Sequence, residues 1–167
     1  MKALFMIFLP LMSFGIGVIL MFPAIDMENG PIDFFVFDHG SSVEVTIIFK
    51  DEDHPNPFLD PLYDLYRLAK WGRIEDIETF YITATSVVFP DDYASVTSFS
   101  QTEGLHTHAE IPIGNFQVQD GKILVYVNTW NHMFSNKPLP NLEYVKVEFR
   151  ARIGTREDAE RIYSVWK

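Results

Sequence analysis

The stretch Val145-Lys146-Val147-Glu148-Phe149-Arg150-Ala151-Arg152-Ile153 alternates an apolar side chain with a charged one at every step. Successive side chains of a strand point to opposite faces, so the pattern predicts one β-strand with a core-facing side and a solvent-facing side. Gly154 then breaks the strand. Thr155, followed three residues on by Asp158, reads as a cap opening a C-terminal helix with Ala159, Ile162, Tyr163 and Trp166 on its apolar stripe.

Working back along the chain, apolar, β-branched and aromatic runs predict strands at residues 123–130, 116–118, 105–113, 93–99 and 79–89. Asp120-Gly121 is a strong two-residue hairpin signal. Residues 32–37 and 43–49 flank the turn formers Asp38-His39-Gly40-Ser41-Ser42 and predict another antiparallel hairpin. Residues 51–57 read as a loop. Asp60-Pro61 starts a helix and Gly72 ends it, with Leu62, Leu65, Tyr66 and Ala69 forming one face. Arg67, Lys70 and Arg73 gather near its C-terminal end, where the helix dipole alone accounts for them.

The sum is an α+β domain over residues 32–167, a predominantly antiparallel sheet of about six or seven strands with two short helices. A partly closed β-barrel with a C-terminal helix is the alternative.

Ahead of this domain, residues 3–22 are 20 residues without a charge, twelve of them Leu, Ile, Val or Phe. As a helix rising about 1.5 Å per residue they reach about 30 Å, the thickness of a bilayer's hydrocarbon core. Residues 1–22 are therefore expected to be a hydrophobic helix that anchors the chain in a membrane. A cleaved signal peptide and a buried core helix are the competing readings, with Ser13-Phe14-Gly15 and Phe22-Pro23-Ala24 as weak cleavage sites. Lys2 precedes the segment and Asp26, Glu28 and Asp33 follow it, which places the domain on the non-cytoplasmic side. Residues 23–31, with Pro23, Gly30 and Pro31, read as a linker.

The 167-residue chain carries a formal net charge of −10 and no cysteine. Disulfides, thiolate metal sites and cysteine nucleophiles are excluded, and the scattered Lys and Arg residues offer no basic patch for nucleic acid. With 47% hydrophobic and 15% aromatic residues, the chain has material for one core.

The pattern most suggestive of chemistry is His106-Thr107-His108-Ala109-Glu110, where the two histidines share a strand face and could chelate one metal. Glu110 lies about 13 Å from His106 along an extended strand, too far to join them, so further ligands would have to come from elsewhere, such as His132 or His39. The alternate residues Leu105, Thr107, Ala109, Ile111 and Ile113 make the better inward face, which leaves these histidines exposed. The comparison with cupins fails because one residue alone separates His108 from Glu110. Asp51-Glu52-Asp53-His54 lacks the spacing of a calcium loop, and Asp91-Asp92 reads as a turn. There is no G-x-S-x-G elbow and no phosphate-binding glycine motif. Tyr63, Tyr66, Trp71, Trp130 and Phe134 are core or pocket candidates, and Trp130-Asn131-His132-Met133-Phe134-Ser135-Asn136 would be a contact surface if its side chains were exposed together.

No residue is thereby assigned a catalytic, cofactor-binding or metal role, and no cofactor is expected. The leading functional expectation is a membrane-tethered, extracytoplasmic accessory or interaction domain. Its partners would be the membrane, through residues 3–22, and a protein at that membrane. A module for a small apolar ligand and a metal-dependent enzyme using His106 and His108 are the alternatives.

Overall fold

The structure, a computed structural model, describes residues 17–148 and 150–165. Eleven strands form one sheet: β1 (Gly17–Pro23), β2 (Pro31–Asp38), β3 (Val43–Phe49), β4 (Asp76–Ile82), β5 (Ser86–Tyr93), β6 (Thr107–Pro112), β7 (Val118–Gln119), β8 (Lys122–Val127), β9 (Phe134–Ser135), β10 (Tyr144–Val147) and β11 (Arg152–Ile153). Helices α1 (Asp60–Trp71) and α2 (Arg156–Tyr163) accompany it. The order is β10-β1-β8-β9-β5-β4-β3-β2-β11, with β6 added to β5 and β7 to β8. The pairs β1–β8, β2–β11 and β5–β9 are parallel and the other pairings antiparallel, so the sheet is mixed and has eleven strands rather than six or seven.

The alternating run at residues 145–153 is two strands, not one. Its first half pairs with β1 and its second with β2, at opposite ends of the strand order. Alternation reports which face is buried, and a chain that bends between two neighbours keeps it. Val147 and Ala151 accordingly pack on the interior, while Ile153 is exposed. Five residue steps from Val147 to Arg152 span at most about 18 Å, so the two ends of the path are drawn together and the sheet curls into a half-barrel.

The interior holds Leu20, Phe22, Val45, Ile47, Phe49, Phe80, Phe89, Val125 and Phe134, all at most 2% exposed. On the outer face, Phe35, Ile48 and Ile77 are covered by Ala159 of α2. That helix starts with the expected capping box between Thr155 and Asp158. Ile162 of its expected stripe is exposed, and Trp166 lies outside the described residues.

An N-terminal hydrophobic helix over residues 1–22 is not found where the chain is described. Gly17–Pro23 is a strand between β8 and β10, with Leu20 and Phe22 facing inward and Ile19 facing outward against Leu124 and Tyr126. A strand apolar on both faces gives a continuous hydrophobic run, which reads like a buried or spanning helix. The rest of that expectation falls on residues 1–16, outside the described residues. No helix among the described residues is long and apolar enough to cross a membrane. The expected linker is largely a 3₁₀ turn, Ala24–Asn29, with Asn29 buried.

The hairpins at Asp38–Ser42 and Asp120-Gly121 form as expected, the latter with both turn residues at positive φ, 51° and 75°. The run at 79–89 conceals a turn, where the Thr83 N–H donates to the Ser86 carbonyl at 2.9 Å and separates β4 from β5. Residues 94–99 are not a strand. Helix α1 keeps its expected bounds, with Gly72 at φ 69°, but it is turned outward. Leu62, Leu65 and Tyr66 are at least half exposed, and Arg67 is its buried residue.

Phe22→Ala removes a ring buried in the interior of the sheet. It is expected to lower unfolding stability by about 3 to 5 kcal/mol in denaturant titrations, against a change within about 0.5 kcal/mol for the exposed Ile162→Ala. Equal, small effects would show that β1 is not part of the core.

Candidate functional site

The sheet splits where β4 should continue alongside β5. Their register is confined to Tyr81↔Val88 and Ile82↔Val87. Beyond it lies Pro90, which has no N–H to give a ladder, and β5 changes register against β6 between Phe89 and Tyr93. The Thr79 N–H turns instead to the Asp92 carboxylate, Oδ2 at 3.0 Å. A cleft of about 570 Å³ occupies the opening. Helix α1 and its exit contribute Tyr63, Arg67, Lys70, Trp71 and Arg73, β4 contributes Asp76 and Glu78, the β5 bulge Asp91 and Asp92, and α2 Arg156 and Glu160.

Beneath the cleft lies His132, which is fully buried in a left-handed turn at φ 57°. Its Nδ1 is 3.0 Å from Asp76 Oδ2 and its Nε2 is 3.4 Å from Asp26 Oδ2. Its ring stacks on Phe49 at 4.1 Å and 13°. Burial alone would strip the proton from such an imidazole, but the two aspartates outweigh it and lift the pKa to about 9. Asp76 responds reciprocally. Burial works against its charge, yet His132, Arg67 and Arg73 hold it below the usual carboxylate range.

Glu52 shows the opposite outcome. It is 5% exposed, and burial together with the charge of Asp76 pushes its carboxyl up to about 8, against the pull of Arg67 and of Tyr63. The Tyr63 hydroxyl donates to Glu52 Oε1 at 2.6 Å, and burial beside that carboxyl raises the phenol as well. Glu78 is likewise raised well above its ordinary value, by burial and then by Asp76 and Asp92. The cleft therefore sets the proton-bearing Glu52 carboxyl, and a Glu78 carboxyl that burial biases toward its neutral form, near the ionised Asp76, an arrangement suited to donating and accepting hydrogen bonds, or a proton, at neighbouring points.

Among the guanidinium groups, Arg67 is 1% exposed. Its Nη1 donates to Asp51 Oδ1 at 2.9 Å, whereas its Nη2 has no hydrogen-bond partner and lies 3.6 Å from Glu52 Oε2. Arg73 is 8% exposed and donates to the Glu75 carbonyl, and burial lowers its pKa. Arg156 holds Glu160 at 3.0 Å and reaches Thr79 Oγ1 at 3.4 Å. The cations read from sequence as dipole partners are thus walls of a cleft. On the outer side of α1, Phe58, Leu59, Leu62, Leu65 and Tyr66 form an exposed apolar row.

His106 and His108 are not brought together on one ligand. His106, at φ 54°, lines the cleft and meets Asn131 Nδ2 at 3.1 Å, while His108 Nδ1 is 3.2 Å from the Pro90 carbonyl. Glu110 accepts from the Ser86 hydroxyl at 2.7 Å. His39 pairs with Glu44 at 2.8 Å, away from the others. No cluster of three His, Asp or Glu side chains suited to a metal occurs among the described residues. Residues 130–136 are all buried, so they are packing rather than a contact surface. Tyr63 and Trp71 line the cleft, while Trp130 packs edge-on against His54 and Tyr63 at 5.2 and 5.9 Å.

No family model, curated protein or solved structure matches the chain. The site stands on its geometry.

That geometry predicts an acid-shifted stability profile. In the fold Glu52 retains a proton that the unfolded chain loses near 4.5, so stability falls as pH rises from there through about 8. His132 adds a second decline between about 6.5 and about 9. Asp76 acts oppositely, and its contribution is lost as pH drops from about 3.8 through its lowered value. Denaturation midpoints are expected to peak near pH 4 to 5 and decline toward pH 9, with a shallower decline in Glu52→Gln; a profile flat or rising over that range would contradict these protonation states.

Proposed function

We propose that the chain is a non-covalent binding domain that receives a small polar molecule in the cleft. The observation that carries this reading is the set of buried charges lining an open cavity where the sheet gives up its own pairing. Taking an ion out of water costs several kcal/mol even after relaxation, and well-packed apolar side chains would serve stability as well or better. Buried, pKa-shifted groups in a concave site are the usual mark of a functional site. The expectation of an apolar ligand becomes one of a polar ligand because the lining is charged. A screen of small polar metabolites against the full chain, read by amide chemical shifts, is expected to perturb Thr79, Tyr81 and Asp92. Asp91→Trp, which fills the mouth of the cleft from an exposed position, should abolish those shifts without changing thermal stability. Hits confined to other surfaces, or unaffected by Asp91→Trp, would contradict the proposal.

The reading as an extracytoplasmic accessory or interaction domain has one observation in its favour, the exposed apolar row on α1. It is compatible with a ligand-binding cleft. The metal-enzyme reading has no comparable support, since His106 and His108 face different partners.

Export is part of the proposal. With Gly17–Pro23 in the sheet, the uncharged stretch left over is residues 3–16, fourteen residues that reach about 21 Å as a helix, short of a bilayer core of about 30 Å. That length suits the apolar region of a signal peptide, and Ser13-Phe14-Gly15 places small residues just ahead of β1. Cleavage after Ala24 would instead remove β1, which is paired on both edges. The intact mass of the protein from its native host is expected to correspond to a chain starting at Ile16; a retained Met1 or a start at Ile25 would contradict this.

A further inference from the structure

We infer that the molecule held in the cleft is a small zwitterion, its carboxylate seated on Arg73 and Arg67 and its ammonium group facing Asp91 and Asp92. The inference rests on the cleft being a binding site and concerns which chemistry it selects.

The walls of the cleft are unlike in charge. Of the residues lining the cleft, the α1 side and its exit supply the cations Lys70 and Arg73, with Arg67 paired behind them to Asp51 at 2.9 Å, while the β5 bulge opposite supplies Asp91 and Asp92 and no cation. The groups between them largely cancel. Arg156 is paired with Glu160 at 3.0 Å, and Asp76 is paired with His132 at 3.0 Å. A ligand lying across the opening therefore meets positive potential at one end and negative at the other.

The cationic end has unused hydrogen-bonding capacity. Arg73 is more than nine-tenths buried, and its guanidinium makes no ion pair with a carboxylate among the described residues. Its Nη1 donates to the Glu75 carbonyl. Arg67 is almost wholly buried, and its Nη2 has no hydrogen-bond partner. A guanidinium left so is costly, and a planar carboxylate is the group that satisfies its paired N–H donors. The neutral Glu52 carboxyl nearby can donate to the same oxyanion.

At the other end, Asp92 uses Oδ2 for the Thr79 N–H, and Asp91 is exposed at the mouth. These two carboxylates repel a dianion such as phosphate and favour a ligand that brings its own positive charge. A cavity of about 570 Å³ falls within the range of small-molecule sites and admits molecules from an amino acid to a dipeptide.

The test is calorimetry and amide-shift mapping on the full chain in mild detergent, with four probes: glycylglycine, N-acetylglycine, glycinamide and inorganic phosphate. Glycylglycine should bind at least about tenfold more tightly than either singly charged probe, as one charge-assisted contact is lost in each. Arg73→Gln should remove the advantage of glycylglycine over glycinamide, and Asp91→Asn should reduce its advantage over N-acetylglycine. Phosphate or a singly charged probe binding in the cleft as tightly as glycylglycine would overturn the zwitterion inference and leave the cleft standing. Failure of all four probes, with screened metabolites still shifting Thr79 and Tyr81, would overturn it in the same way. Failure of both probes and metabolites would overturn the binding site itself.

Discussion

The protonated His132 held between Asp26 and Asp76 is the interaction on which the open end of this half-barrel depends. It joins three parts of the chain that share no strand pairing there: the 3₁₀ turn after β1, the first residue of β4, and the turn between β8 and β9. Because the ring is wholly buried and stacked on Phe49, its charge is screened by little besides the two carboxylates. That charge keeps Asp76 ionised. Burial raises the Glu52 and Glu78 carboxyl groups first, and the charge of an ionised Asp76 nearby raises them further. The protonation pattern of the cleft thus follows from burial together with the His132–Asp76 pair beneath it.

The curl of the sheet and the split in the sheet act together. Drawing β10 and β11 to opposite ends of one strand order wraps the interior side chains around a common core, which leaves the Asp76 end of β4 free to part from β5 at Pro90. Helix α1 then lies over a polar opening rather than an apolar face. This explains why its buried residue is Arg67 and why the leucines that would normally point inward are on the surface. The same reversal that builds a charged wall for the cleft gives the outside of the molecule an apolar row.

Much of the fold was legible in short-range pattern. The two hairpin turns, the bounds of α1 and the Thr155–Asp158 cap are set by local backbone chemistry that neighbours do not override. What could not be read was partnership. The run at residues 145–153 alternates faultlessly and still divides between two distant strands, and the apolar residues 17–22 look like part of a membrane helix because β1, paired on both edges, is hydrophobic on both faces. The site was hidden for a related reason. Its members, Asp26, Glu52, Arg67, Asp76, Asp92, His132 and Arg156, are spread over 130 residues with no motif spacing. The one local hint was an arginine, Arg67, set within the amphipathic pattern of α1 on what would become its buried side. The His-x-His pattern drew attention instead, although Ala109, Ile111 and Ile113 take the inward face of that strand and its end, leaving His108 outside.

The most direct test of the central claim is a side-chain NMR titration of the folded protein, following the His132 ring nitrogens and the Glu52 carboxyl carbon from pH 4 to pH 10. The expected result is an imidazolium at pH 7 that titrates near 9, and a carboxyl that remains protonated at pH 7 and titrates near 8. A neutral His132 ring at pH 7, with Glu52 titrating near its ordinary value of 4.5, would contradict the claim and remove the electrostatic basis of the cleft.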